Sequence, residues 1–225
     1  MTDTRGPVVM SWSSGKDSAY ALYLFAKAHP RADITLLSTC AADYGRVSIH
    51  GVRTELLQKQ CEAIGRPLRK VELPVPCSGD DYETIMNEVM NEQRDGGYEA
   101  VVFGDIFLED LRSWREEKLA KVAIAAIFPL WKRDTAELAR DIIGAGFKAV
   151  VTCVDTTVLD ADFAGRTYDD SFLADLPARV DPCGENGEFH TFAYDGPIFS
   201  RPVEFSIGEK VTREERFRYC DLIPR

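Results

Sequence analysis

The sequence predicts an α/β protein: a parallel, five-stranded, doubly wound sheet followed by a smaller, mixed α/β region. Three observations carry this. Strand-length apolar runs alternate with amphipathic helical stretches from Pro7 to Trp131. The stretch Ala100 to Phe103 reads Ala-Val-Val-Phe, fully apolar like a strand buried on both faces. After Trp131 the rhythm changes, and from Asp160 the chain turns polar and rich in Gly and Pro.

Element by element, Pro7 to Trp12 is a short strand that stops at a Ser/Gly cluster. Asp17 to Ala28 sets Ala21, Leu22, Leu24, Phe25 and Ala28 on one helical face. Asp33 to Thr39 is a second strand, and Val52 to Ile64 a helix closed by Gly65 and Pro67. Leu68 to Leu73 is a third strand, ended by Pro74; Asp80 to Arg94 is a helix stopped by Gly96-Gly97. The fourth strand, Ala100 to Phe103, precedes a helix from Leu108 to Ala123 and a fifth strand within Ile124 to Leu130. Such alternation implies right-handed crossovers with helices on both faces of a parallel sheet. Ligands of such sheets bind beyond the carboxyl ends of the strands. A helix at Asp134 to Gly144, a strand at Lys148 to Asp155 and a β-rich tail from Ile198 to Ile207 follow. A boundary near residue 133 divides residues 1–133 from residues 134–225.

Composition narrows the classes. At 225 residues, 45% of them apolar and 28% charged, the chain can bury a core without disulfides or a structural metal. No apolar run approaches the roughly 18 residues that span a bilayer. Met1 to Pro7 is polar with no signal-peptide core. A cytoplasmic protein that neither enters nor crosses a membrane is expected. Six cysteines lie scattered with no Cys-x-x-Cys pair, which argues against a zinc ribbon or an iron–sulfur site. A net charge of −10, with no block of lysines or arginines, argues against a nucleic-acid partner.

The first strand runs into Ser13-Ser14-Gly15-Lys16-Asp17-Ser18. Strand, Ser/Gly turn and helix make an anion site, because first-turn N–H groups and the helix dipole converge on one point. Ser13, Ser14 and Ser18 bring hydroxyls, Gly15 permits close approach of a phosphate, and Lys16 adds charge. Asp17 beside a phosphate calls for a cation such as Mg²⁺, or is a helix N-terminal acid. The spacing is neither a Walker A loop nor Gly-x-Gly-x-x-Gly; a serine-rich turn that merely caps a helix remains the alternative. A second unusual stretch, Asp181 to Phe192, contains Gly184-Glu185-Asn186-Gly187-Glu188-Phe189-His190-Thr191. Glu185 and Glu188 can position an amine, hold Mg²⁺ or act as acid and base, and His190 can take a proton. The bland reading is a polar turn with a strand-edge histidine.

The loop resembles the pyrophosphate-binding loop, Ser-Gly-Gly-x-Asp-Ser, of the ATP pyrophosphatases (the PP-loop, adenine nucleotide alpha-hydrolase-like superfamily). Ser14 stands where the first glycine of that pattern falls, so a positive φ there would strain it. The two motifs together are similar to the diphthine–ammonia ligase family in its short archaeal and bacterial form. His50-Gly51-Val52, Gly104-Asp105-Ile106 and Pro129-Leu130-Trp131 also fit, so the resemblance runs from about Val8 to Pro202.

This resemblance implies a Rossmann-like (HUP) fold and an ATP-dependent amide ligase. ATP adenylates a carboxylate, ammonia displaces AMP, and pyrophosphate is the other product. Residues 1–133 would bind ATP and residues 134–225 the substrate. The partners implied are ammonia and a carboxylate on a small molecule or a protein, with the oligomeric state open, a homodimer included. Ser13, Ser14, Gly15, Lys16 and Ser18 would hold the pyrophosphate. Asp17 and Asp105 would lie near Mg²⁺, and His50 and Gly104 near the nucleotide. Lys16, Asp17, Glu185, Glu188 and His190 form the catalytic set. Arg112 and Arg115 are candidates for charge neutralisation, with Glu116 and Glu117 placed to pair with them. Two other readings stand beside this one: RNA modification or thiolation by a PP-loop ATPase, and a non-enzymatic nucleotide-binding module.

Overall fold

A computed structural model of the chain describes residues 6–225; the expectation for Met1 to Arg5 lies outside the described residues. Five parallel strands form the first sheet: β1 (Val8–Ser11), β2 (Ile34–Ala41), β4 (Leu68–Leu73), β5 (Ala100–Val102) and β6 (Ala125–Ile127). Their spatial order is β4-β2-β1-β5-β6. A two-residue strand, β3 (Arg46–Val47), pairs antiparallel with the far end of β2 and was not predicted. The order reverses between β1 and β5, and crevices at such switch points are where open α/β sheets bind ligands.

Alternation along β1 shows why the sheet is wound on both sides. Val8, Met10 and Trp12 belong to one buried cluster, with α1 (Lys16–Ala28), α2 (Thr54–Ile64) and α5 (Thr135–Gly144). Val9 faces the opposite way, into a second cluster with α3 (Gly79–Asp95) and α4 (Glu109–Lys121). Each fully buried large apolar side chain contributes about 1.5–3 kcal/mol relative to exposure. Local signals mark the helix ends. Ser78 and Asp81 form a reciprocal capping box on α3, and Gly65 closes α2 at φ 73°.

The second sheet is antiparallel, in the order β8-β7-β10-β9: β7 (Lys148–Asp155), β8 (Phe189–Asp195), β9 (Phe205–Arg213) and β10 (Phe217–Pro224). A short helix, α6 (Asp170–Asp175), precedes β8. The β-rich tail expected at Ile198 to Ile207 is corrected here: residues 198–204 are turns and irregular backbone, and the strands flank them. The error has a simple source. Gly196, Pro197 and Pro202 punctuate this stretch, while the alternating pattern of β9 and β10 lies further on. Phe189 and Phe192 of β8 enter the same core as α1 and α2, so β8 lies against the start of α1. No helix among the described residues is long and apolar enough to cross a membrane.

Candidate active site

Gly15 is the N-cap of α1, with φ −84° and ψ 171°, and no side chain caps the helix. A Cβ on Gly15 would come within 2.8 Å of His50 Cε1 and 3.3 Å of the Thr191 carbonyl, so only glycine fits between them. Gly104, just past β5, is pressed as closely on the other side. A Cβ there would lie 3.0 Å from the Ser18 nitrogen and 3.1–3.2 Å from the Asp17 carbonyl. Ser13 Oγ lies 3.1 Å from Ser18 Oγ, and Ser18 Oγ donates to the Gly15 carbonyl at 2.9 Å. Ser14 adopts φ 69°, and its buried hydroxyl has no hydrogen-bond partner. A left-handed serine costs roughly 1–2 kcal/mol, and the orphaned hydroxyl adds to that.

Lys16 does not point into the crevice. Its amine is buried, lies 3.0 Å from Asp17 Oδ2, and donates to the Cys183 carbonyl. It sits over the rings of Tyr168 and Phe189 at 5.0 and 5.1 Å. Burial alone would lower its pKa, but Asp17 and the neighbouring acids outweigh it and raise the value, keeping the ammonium charged. The amine expected to hold the pyrophosphate thus faces the Asp181–Phe189 segment in this structure. Its carbon stem threads between the loop and the Asp181–Phe189 segment, where its charge is already met. Asp17 Oδ1, by contrast, is buried and unpartnered.

The C-terminal motif folds directly over the loop. Thr191 Oγ1 accepts from the Lys16 N–H at 3.1 Å, and the Ala193 N–H donates to the Ser14 carbonyl at 2.9 Å. Thr191 also offers its carbonyl to His50 Nδ1 at 3.0 Å, and the His50 and His190 rings stand 4.7 Å apart. Burial lowers the His50 pKa to about 4 and, with His50 beside it, that of His190 to about 3. Both imidazoles are thus neutral near pH 7.

Glu185 and Glu188 diverge. Glu185 Oε1 accepts from the N–H of Ile106 at 2.7 Å, next to Asp105. Burial, and then Asp17 and Asp105, push its pKa up to about 7. Glu188 is turned into its own loop, accepting from the N–H groups of Asp181 and Asn186 and from the Asn186 amide. It holds the turn rather than facing a reactant. Asp105 Oδ2 lies 3.2 Å from Arg115 Nε as an ion pair, and burial raises its pKa. Arg112 instead pairs with Glu116 at 2.7 Å and stacks on Trp131 at 4.5 Å, which removes it from the site.

Beside the loop lies a cavity of about 680 Å³, within the range of small-molecule sites. Trp12, Ser13, His50, Tyr82, Phe103 and Arg115 are among its lining residues. Of the candidate site residues only Ser13, His50 and Arg115 line it; Ser14 to Ser18, Gly104, Asp105, Glu185, Glu188 and His190 do not. Two positioning residues escaped the reading of the sequence. Gln60, fully buried on α2, accepts from Trp12 Nε1 at 2.7 Å and donates to the carbonyls of Ser14 and Ala193. Its signal was a polar residue on the face that carries Leu56, Leu57 and Cys61. Tyr168 had no signal; its hydroxyl donates to the Pro182 carbonyl at 2.8 Å.

A serine–glycine loop between β1 and α1, at the switch point of a parallel sheet and beside a deep cavity, defines a phosphate-binding α/β protein. Family models sharpen this: the diphthamide synthase N-terminal domain matches residues 6–124, and the C-terminal domain matches residues 134–222. The chain belongs to the diphthamide synthase family. It is 28% identical to the mouse (Mus musculus) diphthine–ammonia ligase over 88% of this chain and 82% of that protein. To the human (Homo sapiens) diphthine–ammonia ligase it is 29% identical, over 65% of this chain and 57% of that protein. Among solved structures, the U34-tRNA thiolase NcsA of Methanococcus maripaludis with its 4Fe–4S cluster aligns over 62% of this chain and 57% of that one. Its TM-score is 0.40 and its identity 19%, a likeness that carries neither fold nor function across.

Proposed function

We propose that the chain is an ATP-dependent amide ligase. A carboxylate oxygen attacks the α-phosphorus of ATP, pyrophosphate leaves, and ammonia then attacks the acyl carbon to release AMP. The observation that carries this reading is the joining of two motifs into one site. The phosphate loop and the Glu185-to-Thr191 segment share hydrogen bonds at Lys16–Thr191 and Ser14–Ala193. A simple nucleotide-binding module has no use for the second motif. Relatives named diphthine–ammonia ligase make diphthine the first carboxylate to test.

In this reading residues 1–133 hold ATP and residues 134–225 bring up the acceptor. The large cavity takes the nucleoside, and the N-terminus of α1 with Ser13, Gly15 and Ser18 takes the phosphates. The buried, unpartnered Asp17 Oδ1 and the nearby Asp105 fit Mg²⁺. No group of three His, Cys, Asp or Glu side chains able to hold a metal stands together among the described residues. The ion would therefore be shared between protein carboxylates and phosphates, as Mg²⁺ commonly is. When bound it would offset phosphate charge as pyrophosphate departs. Arg115 can turn from Asp105 toward the same charge. Glu185, titrating near neutrality, takes the proton released as ammonia becomes an amide. The neutral imidazoles of His50 and His190 accept N–H bonds from ammonia without repelling its protonated form. Lys16 and Glu188 act through position alone.

The test is incubation with α-labelled ATP, Mg²⁺ and ammonium, with and without a diphthine-bearing protein and other carboxylates. Carboxylate-dependent AMP with stoichiometric pyrophosphate is expected. ADP with phosphate, or tight nucleotide binding without turnover, would sink the ligase reading.

A further inference from the structure

A second, smaller cavity of about 200 Å³ lies on the other side of the segment Tyr44 to Ile49, which lines both cavities. Arg46, Gly51, Arg213 and Tyr219 enclose it. Arg46 is already spoken for, donating to the Gly51 carbonyl at 2.6 Å and pairing with Asp221 at 2.9 Å. Arg53 and Arg216 likewise have carboxylate partners in Asp221 and Asp155. Arg213 has none among the described residues. Its guanidinium is propped between two aromatic faces, 5.8 Å from the Tyr44 ring centre and 6.0 Å from that of Tyr219. A guanidinium held by aromatic faces keeps its N–H fork free for a planar anion.

Three further features set this place apart. Ile49, a β-branched residue, stands at φ 66°, and Glu214 and Glu215 at the β9–β10 turn stand at φ 51° and 52°. Of the six non-glycine residues with positive φ among those described, two, Ile49 and Glu214, line this one small cavity. At Glu214 and Glu215 this is the geometry of a two-residue hairpin turn, closed by the Arg216 N–H on the Arg213 carbonyl; at Ile49 it is strain of the kind that function holds in place. The rim is apolar and open: Ile49 is 69% exposed and Tyr44 57%. Finally, the cavity shares the Tyr44–Ile49 segment with the large cavity, which is the one that reaches Ser13 and His50. Gly51 lines the small one, and the preceding residue, His50, is the one that touches Gly15.

We propose that this cavity seats the carboxylate that the ligase activates, with Arg213 binding the charged oxygens and the Tyr44–Ile49 rim taking the apolar body that bears them. The proposal rests on the ligase reading and adds to it the place and charge of the acceptor. It also favours release of the product. The amide product carries no charge, so Arg213 holds substrate more tightly than product and lets the product leave. ATP and acceptor would then meet across the Tyr44–Ile49 segment, which lines both cavities.

Amide-resolved NMR of the full chain with AMP bound tests this, using phenylacetate against phenylacetamide, and the capped peptides acetyl-Tyr-Glu-Tyr-amide against acetyl-Tyr-Gln-Tyr-amide. Shifts at Gly51, Val211 and Tyr219 are expected for the acids, with affinity about tenfold weaker for the amides and for Arg213→Ala, and partial recovery in Arg213→Lys. A stronger response to the glutamate peptide than to phenylacetate assigns the acceptor to a protein; the reverse assigns it to a free acid. AMP affinity in the same samples reports that the fold is intact. Shifts confined to the large cavity, no response to either acid, or equal binding of acid and amide overturn the seat. The ligase reading is judged separately, by AMP and pyrophosphate. Acceptor-dependent AMP formation with an unchanged acceptor KM in Arg213→Ala would remove the seat and leave the ligase standing.

Discussion

The Ser13–Ser18 loop and the Asp181–Thr191 segment meet face to face, yet they are built in opposite ways. The loop is shaped by what is missing: no side chain caps α1, Gly15 and Gly104 leave room, and Ser14 and Asp17 keep unpartnered polar atoms. The segment is shaped by what is satisfied. Asp181 accepts from the N–H groups of Cys183 and Glu185, and Glu188 closes the turn. Of its carboxylates only Glu185 reaches out, to the Ile106 N–H. A site for a mobile anion needs donors held open, whereas a site for proton transfer needs one acid held still by a rigid frame.

Four measurements would break or sharpen this contrast. The largest effect is expected at Lys16, which belongs to both sides. Lys16→Met leaves the partly buried Asp17 without its partner. A loss of about 3–5 kcal/mol in urea unfolding is expected, as for other broken buried pairs. A loss under about 1 kcal/mol would show that the two motifs are not tied through this amine. Glu185→Gln comes next, with about a hundredfold fall in AMP formation, the low end of general acid–base contributions. Its pKa of about 7 sets the pH profile. Below that value the carboxyl is protonated and cannot accept the proton, so the wild-type rate climbs through pH 7 and the variant loses that limb. Stability runs the other way: the folded pKa lies above the unfolded value of about 4.3, so this group's contribution declines as pH rises toward 7.

Glu188→Ala should cost about 1 kcal/mol, because the part-buried Asp181 N–H and the more exposed Asn186 N–H lose their acceptor. Hydrogen exchange should then quicken across residues 181–188 while the loop at Ser13–Ser18 stays protected; uniform exchange would erase the distinction between the two segments. The fourth measurement is at Ser14. Ser14→Gly relieves the φ 69° backbone and removes an orphaned hydroxyl, and should raise stability by about 1 kcal/mol. Weaker ATP binding in the same variant would show that this hydroxyl is kept for the phosphates.

Much of the fold was legible because its signals are local. Helical spacing in Asp17–Ala28, the closing Gly65, and the apolar Ala-Val-Val of β5 each specify an element from a few neighbouring residues. Strand alternation then dictates which face each residue takes. Failures came where the deciding partner is distant. Arg112 and Arg115 sit on one helix three residues apart, and only the position of Asp105 separates the one that pairs with it from the one that stacks on Trp131. Ile198–Ile207 looked like strand by composition, yet only Phe205–Ile207 join a ladder, as the start of β9, and the part before them, with Pro202, joins none.

By itself the sequence determined the alternating elements, the parallel sheet and the strand–loop–helix at Ser13–Ser18, since backbone propensity and burial pattern are set by near neighbours. Tertiary structure alone decided which polar groups remain free. The Lys16 N–H meets Thr191 across 175 positions, its amine is drawn inward by Cys183, and Glu188 is consumed by its own turn. A donor or acceptor is available to a ligand only when no part of the folded chain has already satisfied it, and that is settled by long-range contacts.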